Sequence, residues 1–90
     1  MYNYVYKMVY QTVDEQIEVA TIYKQGSVNP VAFRWGNKKY LIDKVNLIHT
    51  RYEGAVKCYF FNVSTKSGRE YQLKYNTDNM RWILDQLQIC

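Results

Sequence analysis

Val31-Ala32-Phe33-Arg34-Trp35-Gly36-Asn37-Lys38-Lys39-Tyr40-Leu41-Ile42 is the stretch whose reading decides the fold. Val31, Phe33 and Trp35 alternate with Ala32 and Arg34, and after Gly36-Asn37 the alternation resumes with Tyr40 and Ile42 against Lys39 and Leu41. A period of two on both sides of a Gly-led pair is the pattern of a β-hairpin. Gly-Asn suits a type II′ turn, whose first central residue needs positive φ. A two-residue loop then sets the register: Trp35 opposite Lys38, Phe33 opposite Tyr40, and Val31 opposite Ile42. One face of this ribbon is aromatic and aliphatic, while Arg34, Lys38 and Lys39 occupy the tip and the other face.

The second hairpin follows from the same logic. Tyr59, Phe61 and Val63 lead into Lys66-Ser67-Gly68, and Tyr71, Leu73 and Tyr75 lead away. A three-residue loop with glycine in the left-handed third place is a type I turn closed by a G1 bulge. It pairs Val63 with Tyr71, Phe61 with Leu73 and Tyr59 with Tyr75, all on one face. Ser64, Glu70, Gln72 and Lys74 fall on the other face, which this pattern makes the wet side.

Upstream, Ile17 to Lys24 alternates as a strand and turns at Gln25-Gly26-Ser27. The chain returns through Asn29-Pro30, with Pro30 at the first place of the next strand, where a missing N–H is tolerated. Tyr2, Tyr4, Tyr6, Met8 and Tyr10 alternate in residues 1–11 and read as a strand; a helix using Val5, Tyr6, Val9 and Val13 is the alternative. Thr12 to Gln16 is polar and reads as a connection.

Lys38 to Ile48 changes face partway, which a β-bulge or bend near Asp43-Lys44 reconciles. His49 to Gly54 reads as a polar connection, leaving His49 a solvated surface residue. The last segment has two readings. Met80, Ile83, Leu84 and Leu87 keep helical spacing behind a Thr77 or Asp78 cap, whereas Trp82 and Leu84 keep strand spacing after an Asn76-Thr77-Asp78-Asn79 turn.

Ninety residues make one domain. With 10 Tyr, 3 Phe and 2 Trp among them, rings must supply much of the buried area. The expected architecture is all-β: an antiparallel meander of about six strands curled toward a small barrel, with a terminal helix as the alternative ending.

These residues form a wider pattern: a proline, then Phe33-x-Trp35 and Tyr40-x-Ile42, Val63 and Gly68, Tyr71-x-Leu73-x-Tyr75, and Trp82-x-Leu84. The pattern resembles a family of small bacterial all-β proteins and domains of unknown function, over about two-thirds of the chain. Segments of that kind accompany chains related to lesion-bypass DNA polymerases. The resemblance implies an all-β module and makes Trp82 and Leu84 part of a strand. It carries over no site residue.

Composition narrows the chemistry. One histidine and two distant cysteines, Cys58 and Cys90, offer no metal-ligand spacing, no redox pair and no disulfide framework. Cys58 lies in an apolar run and reads as a buried hydrophobe. The carboxylates are scattered, no glycine-rich phosphate loop is present, and His49 has no nucleophile or orienting acid at a meaningful spacing. The expectation is no enzyme, no cofactor and no metal. Met1 to Lys7 lacks the pattern of a signal peptide, and no window approaches the roughly 18 apolar residues of a membrane span. The expected location is cytoplasmic, with no membrane partner.

A formal net charge of +4 and a pI near 9.1 give mild attraction to polyanions. The sequence therefore points to a small non-catalytic binding module. Its lean is to nucleic acid, held by Arg34, Lys38, Lys39 and Arg51 with Trp35 as a stacking plane. The observation that bears most on it is whether Arg34, Lys38, Lys39 and Arg51 share one exposed, concave face. The alternative is a protein-interaction or self-association module, a homodimer for example, using Tyr2, Tyr4, Tyr6 and Tyr10 at a sheet edge.

Overall fold

The computed structural model describes residues 9–89. Six antiparallel strands follow in chain order: β1 (Tyr10–Lys24), β2 (Ser27–Trp35), β3 (Lys38–Glu53), β4 (Val56–Thr65), β5 (Glu70–Asn76) and β6 (Arg81–Gln88). Each pairs with its neighbour in sequence, and β1 also pairs with β6, so the meander closes into a ring. The described residues contain no helix, and hence none long and apolar enough to cross a membrane.

The two long strands make closure possible. The first half of β1 pairs with β6 and its second half, from Glu18, pairs with β2. Likewise β3 pairs with β2 up to Leu41 and with β4 from Ile42 onward. A strand that changes partner must bend, and bulges supply the bend. The β3–β4 register shifts between Ile42 and Lys44, where the sequence required it, and again between Val45 and Leu47.

Both hairpins form as the turn chemistry dictates. Phe33 pairs with Tyr40 and Trp35 with Lys38 around Gly36, whose φ is +61°. Val63 pairs with Tyr71, Phe61 with Leu73 and Tyr59 with Tyr75. Gly68, at φ +88°, donates its N–H to the Thr65 carbonyl, and Thr65 donates back to that of Arg69. The inward sides of these ribbons meet in one cluster of Ile17, Phe33, Phe61, Val63, Tyr71, Leu73, Leu84 and Leu87. Phe33 stacks on Tyr40 at 4.8 Å and meets Tyr71 edge-on at 5.2 Å. Such ring pairs add to the area term that holds so small a core.

Several local expectations are corrected. Thr12 to Gln16 is no connection: it belongs to β1, whose register against β6 shifts between Thr12 and Glu15 with Asp14 at φ +54°. The bulge explains why a strand carries so polar a run. Of the strand expected over residues 1–11, residues 1–8 lie outside the described chain, and Tyr10 and Gln11 open β1. Pro30 is the fourth residue of β2, beside the bulge that skips Val31 in the pairing with β1. Val31 does not pair with Ile42, because β3 passes to β4 there and Ile42 faces Thr65.

His49 to Glu53 continues β3, and the turn falls at Gly54-Ala55. His49 is therefore half-buried, its ring stacked on Phe60 at 5.0 Å. The supposed wet side of β4 is covered too. Cys58 and Phe60 have no exposed surface. Arg51 lies over the Phe60 ring at 4.4 Å. Lys74, which pairs opposite Phe60, reaches Glu53 at 3.1 Å. Long charged side chains cover apolar surface with their stems in this way.

The C-terminal segment is a strand, not a helix. The partner of Gln72 is Gln86, whereas the next residue, Leu73, pairs with Leu84, so Asp85 is the extra residue of a bulge. That bulge turns both Leu84 and Leu87 inward, three positions apart, and so reproduces helical spacing within a strand.

Candidate nucleic-acid interface

In a meander the turns alternate between the two ends of the sheet. The β2–β3 turn at Gly36-Asn37 and the β4–β5 turn at Lys66-Ser67-Gly68 therefore lie at the same end. Between them is a groove of about 530 Å³. Lys38 and Lys39 line it from one tip, Lys66, Ser67 and Arg69 from the other, with Tyr40 and Tyr71 at its base. The four cationic residues are exposed, and no carboxylate lines the groove.

Neighbouring contacts set the electrostatics. Glu70, adjacent to Arg69, is turned away and accepts a hydrogen bond from the Tyr10 hydroxyl at 2.6 Å. That bond raises the Tyr10 pKa, with burial and the Glu70 charge adding to it. Burial likewise raises the Tyr71 pKa, the neighbouring Tyr40 adds to it, and Arg69 opposes the shift. The Lys38 ammonium sits 5.2 Å from the Tyr40 ring centroid. The Thr65 and Ser67 hydroxyls are 2.9 Å apart, leaving Ser67 at the groove as a neutral polar contact.

The structure brings together only part of the set named from the sequence. Lys38 and Lys39 share the groove. Arg34 is exposed on the outer face, between its strand partners Glu18 and Lys39, so Glu18 offsets its charge. Trp35 is half-buried against the core and donates its indole N–H to Glu15 at 3.1 Å, which sets a carboxylate beside its ring, and it does not line the groove. Arg51 is at the opposite end of β3, roughly 40 Å of strand away from Lys38. It lies over Phe60 and 4.0 Å from Glu53. Arg34, Lys38, Lys39 and Arg51 therefore do not share one concave face.

Lys66 enters the sequence reading only as a turn residue, and Arg69 does not enter it at all. The signal was present: in a meander, hairpins two apart share an end. For the interface reading, Tyr2, Tyr4 and Tyr6 lie outside the described residues, and the Tyr10 hydroxyl is already engaged by Glu70. No three residues among the described His, Cys, Asp and Glu gather as a metal site. No family model, curated protein or solved structure matches the chain.

Proposed function

We propose that the protein is a non-catalytic binding module that takes nucleic acid, as a single strand, in the groove between the two hairpin tips. The observation supporting this is the convergence of Lys38, Lys39, Lys66 and Arg69 on one groove whose lining holds no carboxylate. Mobile cations exchange counterions for phosphates, and a ring at the base of a basic groove offers a face to an unpaired base. Tyr40, half-buried in that groove, takes the stacking role first assigned to Trp35. The groove is too small to hold a duplex within it, which favours a single strand. A cytoplasmic location and kinship with the small bacterial all-β family belong to the same proposal.

Fluorescence anisotropy of a labelled twelve-nucleotide DNA or RNA tests it. With four phosphates neutralised, log K falls by about 2.8 per decade of salt, which is about 50-fold between 50 and 200 mM. Lys38→Glu with Lys39→Glu weakens binding, and so does Lys66→Glu with Arg69→Glu, although the second pair lies on a separate hairpin. Arg51→Glu leaves it unchanged. Absence of binding at 20 mM salt refutes the proposal, as does equal loss on changing Arg51.

A further inference from the structure

The two ends of the ring differ in chemistry. At one, a cleft of about 500 Å³ has the rings of Tyr59, Phe61, Tyr75 and Trp82 at its base, and no charged side chain lines it. At the other, the groove between the hairpin tips is lined by Lys38, Lys39, Lys66 and Arg69. Those cations hold phosphate, which DNA and RNA share, so they cannot tell one sugar from the other. Discrimination by the sugar needs an acceptor for the proton of a 2′-hydroxyl, and neither lysine nor arginine has one.

Four other side chains in the lining carry a hydroxyl: Tyr40, Thr65, Ser67 and Tyr71. Thr65 and Tyr71 are buried, at 6% and 3% exposed, and Tyr40 is half-buried with its ring stacked on Phe33. Of the four, Ser67 is the exposed one. Its hydroxyl is held from below. Thr65 closes the turn through its backbone, its N–H donating to the Arg69 carbonyl and its own carbonyl accepting from Gly68. Thr65 Oγ1 then lies 2.9 Å from Ser67 Oγ. Whichever of the two donates, Ser67 Oγ keeps a lone pair for a third group. Lys66 and Arg69 line the same groove, and in a strand every sugar lies between two phosphates.

We propose that the groove prefers RNA to DNA, and that Ser67 makes the distinction by accepting a hydrogen bond from a ribose 2′-hydroxyl. The inference rests on the nucleic-acid reading of the groove and adds the sugar to it. The cations supply affinity common to both strands, and the serine supplies the difference between them.

Fluorescence anisotropy with the full 90-residue chain compares twelve-nucleotide strands of uridine and of deoxyuridine, which share their base and differ at the 2′ position. One neutral hydrogen bond makes the RNA strand bind about fivefold more tightly. A 2′-fluoro strand keeps a ribose-like pucker but has no 2′ proton to donate, and it binds as DNA does. Ser67→Ala lowers RNA affinity to the DNA level and leaves DNA affinity unchanged, whereas Ser67→Thr keeps the hydroxyl and the preference. Ser67 is exposed and its φ is not positive, so alanine there spares the fold, as an unchanged melting curve checks. Lys38→Glu with Lys39→Glu weakens both strands by the same factor and preserves their ratio.

Equal binding of the RNA and DNA strands overturns this inference and leaves the groove a nucleic-acid site without sugar preference. An RNA preference that survives Ser67→Ala overturns it too, as does tight binding of the 2′-fluoro strand, which assigns the preference to sugar pucker. Equal loss of both strands in Ser67→Ala means that the hydroxyl touches phosphate or base, and overturns it as well. Absence of binding by either strand at low salt removes the reading of the groove together with this one.

Discussion

Replacing Leu84 with alanine, and Met80 with alanine in parallel, tests the least obvious feature of the fold. Helical spacing puts Met80, Ile83, Leu84 and Leu87 on one face, whereas the bulged strand puts only Leu84 and Leu87 in the core. Leu84 has no exposed surface, and Met80 is 73% exposed in the β5–β6 turn. Leu84 packs in the cluster with Leu73, its partner across the ladder, and with the large rings Phe33, Phe61 and Tyr71. Rings of that size collapse poorly into a vacated space, so the cost of Leu84→Ala is about 3 kcal/mol, transfer and cavity together. A chain of this length has roughly 5–13 kcal/mol of stability. Its unfolding entropy near the midpoint is about 190 cal/mol/K, so 3 kcal/mol lowers Tm by about 15 °C. Met80→Ala stays within about 0.5 kcal/mol, or about 3 °C. Circular dichroism melts and urea titrations measure both, with the m-value unchanged. If the two substitutions lower Tm equally, the bulged strand is wrong and the helical reading of this segment returns.

Two further outcomes follow from backbone and protonation. In the Gln25-Gly26 turn both central residues have positive φ, +52° and +77°, which is a type I′ turn with a poorly suited first residue. Gln25→Asn raises stability by about 0.5 kcal/mol and Tm by about 3 °C, and an unchanged or lower midpoint refutes the turn assignment. The fold raises the pKa of Tyr10 through its bond to Glu70, and that of Tyr71 through burial, above the ordinary value of 10.0. Over the window between the unfolded and folded values the native state holds more protons, so this contribution is complete below about pH 10 and is lost as pH rises through the folded values. The urea midpoint should fall between pH 9 and 11, and less steeply in Tyr71→Phe; equal slopes in the two proteins would show that Tyr71 is not the group responsible.

Local pattern was enough for the parts of this protein that depend on neighbours in sequence. Two-residue alternation and the turn residues at Gly36-Asn37 and Lys66-Ser67-Gly68 determined both hairpins, their inward face and, except for Val31 and Ile42, their register, because turn geometry and pleat act over a few residues. Bulges defeated the same reading. At Asp14 and Asp85 one inserted residue breaks the alternation, making a polar run look like a loop and a strand look like a helix. Tertiary structure alone decided which strand takes over as partner at Ile17–Glu18 and Leu41–Ile42, since that choice depends on closing the ring. It also decided the candidate sites. Lys38 and Lys39 were visible as a basic tip, but only the shared end of two hairpins adds Lys66 and Arg69 and sends Arg51 away. The ring-based cleft collects residues from all six strands, and no spacing along the chain can encode a surface assembled across a closed sheet.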